Sequence, residues 1–378
     1  ELPSNDALLG EALAKAPAVL GVAGLEAKDA RFAGPPRSPP VRYLEGAGEE
    51  LRRYPGHLRN VPEIEKGAAG HGLISVDLEG GVVRRVPMAA RFDEATVPAL
   101  AVEMLRVALD APLTIAPAAG GTIELRFGEY AVPAQPDGKA YVRYGHSAPG
   151  KFVSAADLLD GTQDPAGLEG QLVLVGFTGL GLVDVVTTPL GETVFGVENH
   201  AQALEAILEG RFLRRVALAP RIEAALLVAF GLALFVLVPR TNATRSAALL
   251  GAGVALLVAG AAVAFRAFGL LFDPVAPALG AAAVFGVMQA GSLAEAQRQR
   301  QQLREQAARM AGELDAAKRI QMGLLPDPAE VLADERRVDV AALLEPARTV
   351  GGDFYDCFML DDRRLFFVVA DVSGKGLP

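Results

Sequence analysis

Ser246–Phe265, SAALLGAGVALLVAGAAVAF, is twenty residues long and carries no charge. A helix rises 1.5 Å per residue, so about 20 apolar residues cross the hydrocarbon core of a bilayer. This stretch meets that length, and a similar apolar stretch lies on each side of it, Ile222–Val238 and Leu270–Ala290. The last of these gathers Asp273, Pro274 and Pro277 at one end, where polar and helix-breaking groups are tolerated. Three such stretches with two short loops predict three membrane helices within 216–290, against the alternative of a buried bundle in a water-soluble protein. The whole chain agrees: 51% of its 378 residues are hydrophobic and mean hydropathy is +0.29, high for a soluble protein. A net charge of −9 argues against a general nucleic-acid binder. Cys357 is the single cysteine, so no disulfide forms within the chain.

On the N-terminal side, residues 1–212 alternate helix-like and strand-like stretches, which predicts an α/β or α+β domain. Asn5-Asp6 caps a helix through Leu8, Leu9, Ala12 and Leu13. Ala18–Val22 reads as a short apolar strand, and residues 29–70, rich in proline, glycine and charge, as a long loop or insertion. Residues 72–77 and 82–86 flank Glu79-Gly80-Gly81, a hairpin signal. A helix is expected over Pro98–Leu109, a buried strand over Gln171–Gly176, and a last helix from near Asn199 through Leu208.

On the C-terminal side the composition turns polar and helical over 291–325. Leu293, Ala296, Arg300, Leu303, Ala307, Met310, Leu314, Ala317, Gln321 and Leu324 step by three and four, with only Arg300 and Gln321 breaking an apolar seam. That period predicts a parallel dimeric coiled coil, and hence a homodimer, against the alternative of one amphipathic helix lying on its own domain. Pro326 and Pro328 end it. Residues 330–378 read as the strands and turns of a further domain. The chain begins at Glu1 without a signal peptide and ends at Gly376-Leu377-Pro378 in a loop, so both ends are expected to be cut.

Charge predicts sidedness. Arg240 and Arg245 in the short loop, and Arg298, Arg300 and Arg304 after the third span, belong in the cytoplasm by the positive-inside rule. Arg211, Arg214, Arg215 and Arg221 before the first span oppose this, but folded domains translocate largely regardless of charge. The N-terminal domain is then extracytoplasmic, and the family resemblances given below imply a bacterial cytoplasmic (inner) membrane.

The chemical signal lies at the far end. Val350-Gly351-Gly352-Asp353-Phe354-Tyr355-Asp356 is followed, eighteen positions after Asp353, by Asp371-Val372-Ser373-Gly374-Lys375-Gly376. The apolar run Leu365–Ala370 puts Asp371 at a strand end, and Asp353 starts a neighbouring strand. Two antiparallel strands can bring these carboxylates together. Hard divalent cations take oxygen ligands, typically a few carboxylates plus waters, and glycines beside both aspartates leave room for water and backbone. Each aspartate alone is more often a turn residue or cap.

Three segments in order, Glu313–Pro326, Glu345–Asp356 and Ala370–Gly376, resemble the opening of the bacterial SpoIIE/RsbU-type phosphatases of the metal-dependent type 2C (PPM) superfamily. The resemblance covers 313–378. It implies the N-terminal part of an α/β phosphatase sandwich and hydrolysis of phosphoserine or phosphothreonine on a regulatory protein, of the anti-anti-sigma type, with two Mn²⁺ or Mg²⁺ ions. Carried over by motif, Asp353 and Asp371 are metal ligands and Val372 offers its backbone carbonyl. The family's remaining aspartates lie later in the domain, so the chain as given is expected to be inactive. Gly351-Gly352-Asp353 also matches the diguanylate cyclase signature, but there Glu-Phe follows and here Phe354-Tyr355 does. A third alternative is a receptor whose cytoplasmic part is only a binding or dimerisation module.

In the N-terminal half, Leu168–Thr178, Asp184–Leu190 and Phe195–Ala203, with Asp77 and Gly80–Pro87 upstream, resemble the CHASE-type-two extracytoplasmic sensor domain, over about 1–212. That family is typically followed by three membrane helices. Gly176, Gly179 and Gly181 could cradle a phosphate, but no P-loop spacing follows and tight packing turns are the simpler account. His200 is expected to pack or cap, and His57, His71 and His146 lack metal spacing. The extracytoplasmic ligand is left unidentified.

Overall fold

The computed structural model of the protein describes residues 3–27, 38–58, 60–93, 95–179, 184–345 and 351–371. It divides into two compact units, one ending at Val284 and one starting at Phe285. The helices are α1 Asn5–Leu13, α2 Pro62–Glu65, α3 Leu100–Ala108, α4 Ala155–Leu159, α5 Gly196–Glu209, α6 Ala219–Leu237, α7 Ala243–Phe268, α8 Val275–Gly323 and α9 Pro328–Val331.

The first unit opens with a mixed α/β region. Val19–Leu25 pairs parallel with Gly70–Leu73, Val19 opposite Gly70, and antiparallel with Gly56–Leu58. Helix α3 lies very close to this sheet. A Cβ at Gly72 would sit 2.4 Å from the Leu100 Cα, so only glycine permits the approach. A second sheet is a meander of Leu113–Ala118, Thr122–Phe127 and Tyr130–Ala134, with Val41–Tyr43 added parallel to the first of these. Thr122–Phe127 alternates cleanly: Ile123, Leu125 and Phe127 are buried while Arg126 is exposed, the period-two signature of a half-buried strand. These residues share one core with Val102 and Leu105 of α3 and Ala203, Leu204 and Ile207 of α5. Within α3, Glu103 is fully buried and forks onto Arg106 at 2.7 and 2.9 Å. Burial pushes its carboxyl above the usual range, against the pull of that guanidinium.

Several local expectations change. The first helix is capped by Ser4, whose hydroxyl accepts from the Ala7 N–H, and Asn5 lies inside it. The described part of 29–70 is not a loop: it holds the strands Val41–Tyr43, Arg53–Tyr54 and Gly56–Leu58 and the helix α2. Leu51 and Tyr54 are buried, so core packing overrides the local proline and glycine content. Residues 28–37 lie outside the described residues. Gly80 and Gly81 do make a tight turn, with φ of 63° and 82°, but it closes only the Glu79–Val82 bridge. The flanking strands go elsewhere: Gly70–Leu73 to Val19–Leu25, and Arg85–Pro87 to Lys139–Val142. Gln171–Gly176 is not a buried strand. It forms no ladder among the described residues, and Val175 is 93% exposed. An apolar run satisfies the pattern for a buried strand, yet a strand also requires a neighbouring edge.

Helices α6, α7 and the start of α8 are long and apolar enough to cross a membrane. Each begins within a few residues of the expected spans. Asn242 caps α7 by accepting from the Arg245 N–H, and Gly269 ends it in the left-handed region, φ 65°. Helix α8 runs 49 residues without interruption, so the third apolar stretch and the polar linker are one helix. It stops at Gly323, just short of Pro326.

The strand Phe212–Leu213, paired with Lys139–Val142, leads straight into a bonded junction. The Arg214 N–H donates to the Gly269 carbonyl at 2.7 Å, and the Leu271 N–H donates to the Arg214 carbonyl at 2.8 Å. Arg215 forks onto Glu223 at 3.0 and 2.9 Å, and the Asp273 N–H donates to the same carboxylate at 2.7 Å. The segment entering α6 is thus tied to the loop between α7 and α8. Arg211 is paired as well, with Glu209 at 3.2 Å.

Candidate metal centre

Asp353 is the first residue of the strand Asp353–Asp361, and Asp371 is the last of Arg364–Asp371. The hairpin between them is set by its turn. Asp361 accepts from the Arg363 N–H at 3.0 Å and from the Arg364 guanidinium at 2.6 Å, and these bonds hold its carboxyl below the usual carboxylate range. From that turn the register runs Phe358 opposite Phe366, Cys357 opposite Phe367, and finally Asp353 opposite Asp371. Residues directly opposed on antiparallel strands share a face, with Cβ atoms about 4.5–5.5 Å apart. The structure therefore places Asp353 and Asp371 opposite each other across the two strands. Val372, the third expected ligand, lies outside the described residues.

Two carboxylates held on one face at the end of a hairpin repel each other unless something positive lies between or beside them. Their donor chemistry is oxygen only, which suits Mg²⁺ or Mn²⁺ and not a soft metal. Among the described residues no group of three or more His, Cys, Asp or Glu could hold an ion. Cys357 is buried and lies opposite Phe367.

The second feature of this site was not anticipated. The Gln321 carboxamide, near the C-terminus of α8, reaches the segment that leads into Asp353. Its Oε1 accepts from the Gly351 N–H at 3.1 Å, and its Nε2 donates to the Gly351 carbonyl at 2.7 Å and to the Asp353 carbonyl at 3.3 Å. The only trace in the sequence is a polar residue interrupting an apolar seam.

The other candidates resolve toward packing. His200, in the second turn of α5, bonds the Ile74 carbonyl at 3.1 Å through Nε2, and burial pushes its imidazole below its ordinary value. A Cβ at Gly176 would meet the Val197 side chain at 2.6 Å, so close packing accounts for that glycine. Gly181 lies outside the described residues. Tyr144 and Asn199, also unanticipated, pair at 2.7 Å, and burial pushes the phenol up.

A family model of the CHASE2 domain matches residues 1–238. The chain belongs to the CHASE2 family. The match takes in the α/β region and α6, and the CHASE2 sensor is followed by two further helices long and apolar enough to cross a membrane. That is the layout of a transmembrane signal receptor. Protein IcfG of Synechocystis sp. (strain ATCC 27184 / PCC 6803 / Kazusa) is 43% identical over 65 residues, which are 17% of this chain and 10% of that protein. The chain therefore spans about a tenth of the length of the curated relative it matches. No solved structure matches the chain.

Proposed function

We propose that this CHASE2 receptor couples an extracytoplasmic stimulus to metal-dependent dephosphorylation of a phosphoserine or phosphothreonine regulator, of the anti-anti-sigma type, in the cytoplasm. The opposed carboxylates of Asp353 and Asp371 carry the proposal. These two side chains would hold Mn²⁺ or Mg²⁺, and the ions when bound would supply an activated water and positive charge for phosphoryl transfer. The residues of the chain do the holding. Asp353 and Asp371 bind from one strand face, and the turn at Asp361 fixes which residues oppose each other. The hairpin's apolar surface, with Val369 81% exposed, is of the kind a second layer of a sandwich covers. In a receptor carrying the complete catalytic domain, Asp353→Asn or Asp371→Asn is expected to abolish Mn²⁺-dependent phosphate release from a phosphoserine protein. Undiminished turnover in either variant overturns the assignment and leaves a binding or dimerisation module. The exposed seam of α8, with Leu303 65% and Met310 68% exposed, supports a homodimer joined through this helix.

Sidedness follows from three crossings. Arg240 and Arg245, and the arginines after the third apolar stretch, would face the cytoplasm. Two of the four arginines that oppose this, Arg211 and Arg215, are each paired with a carboxylate, which weakens the objection. The bonded junction between the entry to α6 and the α7–α8 loop agrees with three crossings, which return that loop to the sensor side. Cysteines introduced at Ser75 and Glu330 are expected to label oppositely in intact cells; equal labelling excludes three crossings.

A further inference from the structure

The Gly351-Gly352 step poses a positional problem. Glycine has the widest backbone freedom of any residue, so nothing intrinsic fixes the chain that enters the strand at Asp353. A metal ligand at a strand end needs its backbone held, since a displaced carboxylate loses the ion. The Gln321 carboxamide meets Gly351 as a neighbouring β-strand would, accepting its N–H at 3.1 Å and donating to its carbonyl at 2.7 Å. A third, longer bond reaches the carbonyl of Asp353 itself at 3.3 Å. Only an amide offers donor and acceptor together in this form; glutamate lacks the donors and leucine lacks both.

We propose that Gln321 is a positioning residue that holds Asp353 in its metal-binding place from the end of helix α8. The inference rests on the phosphatase assignment of the Asp353–Asp371 pair and adds how that pair is kept in order. A polar residue on a coiled-coil seam can instead serve to fix register, which is the competing role for Gln321. The two roles predict opposite results for one substitution. On a coil seam, Gln321→Leu fills an apolar position and strengthens the helix pair. In the clamp it removes all three hydrogen bonds at once.

The test uses the receptor with its complete catalytic domain. Mn²⁺ affinity is read by titration calorimetry, turnover as a function of Mn²⁺, and Gly351 amide exchange by mass spectrometry. Gln321→Leu is expected to weaken Mn²⁺ binding by about 10- to 100-fold, with kcat recovered at saturating Mn²⁺ and Gly351 exchange accelerated. Gln321→Glu, which keeps the acceptor for the Gly351 N–H, is expected to fall between Leu and the parent, and it decides the matter if the Leu variant does not fold. Parental Mn²⁺ affinity and parental Gly351 exchange in the folded variants overturn the proposal. Asp353→Asn serves as the separate arm. If it leaves turnover intact the phosphatase assignment falls, while calorimetry and Gly351 exchange still decide whether the clamp exists.

Discussion

The α/β sensor region and the unit that starts at Phe285 are built on opposite terms. The sensor closes its own core: Leu113, Ile115, Leu125, Phe127 and Val132 are buried beneath α3 and α5. Glu103, its most deeply buried carboxyl among the described residues, has a bidentate partner one helical turn away. The second unit is a long helix and a two-stranded hairpin with much apolar surface open, including Leu303, Met310 and Val369. Hydrogen bonds from single side chains, Gln321 and Asp361 above all, set its geometry. Elements with few buried contacts are the ones that open and shift most readily.

Substitution tests that contrast directly. The largest effect is expected in the sensor core, where Phe127→Ala leaves a cavity among Leu125, Val132 and their neighbours. It should cost about 3–5 kcal/mol, read by circular dichroism during unfolding of the receptor in micelles. A cost below about 1 kcal/mol would mean that the core is not closed as described. A middle effect is expected at the junction. Arg215→Ala leaves the half-buried Glu223 carboxylate with the Asp273 amide alone, and should cost about 1–3 kcal/mol. Pairing it with Glu223→Gln tests the same link, since the double variant should lose less than the sum of the singles. The smallest effect is expected in the hairpin. Within residues 1–378 Val369→Ala should change stability by no more than about 0.5 kcal/mol, because most of that side chain faces solvent there, whereas the proposed second layer of a complete catalytic domain would raise that cost. A large loss there would show that another surface covers the strand.

Much of this architecture was legible in the sequence where a pattern is dictated locally. Length and hydropathy marked the starts of the three apolar helices to within a few residues, because a bilayer fixes the length of apolar helix that fits it. The antiparallel meeting of Asp353 with Asp371 was also legible, since an apolar run bounded by two aspartates leaves few hairpin registers. The misreadings arose where partner choice decided the outcome. Residues 72–77 and 82–86 carried a sound turn signal at Gly80-Gly81, yet each strand found a better neighbour elsewhere. Gln171–Gly176 had the composition of a buried strand and is exposed.

The sequence alone determined the order of parts, the apolar helices and the acidic pair, because each follows from spacing along the chain. Only the tertiary structure decided that Arg215 and Glu223 join the entry to α6 with the α7–α8 loop, and that Gln321 grips Gly351. Those contacts link residues distant in sequence through a handful of hydrogen bonds. A glutamine on a helix carries no local mark of the backbone it will meet thirty residues later, so its role emerges only once helix and strand are packed.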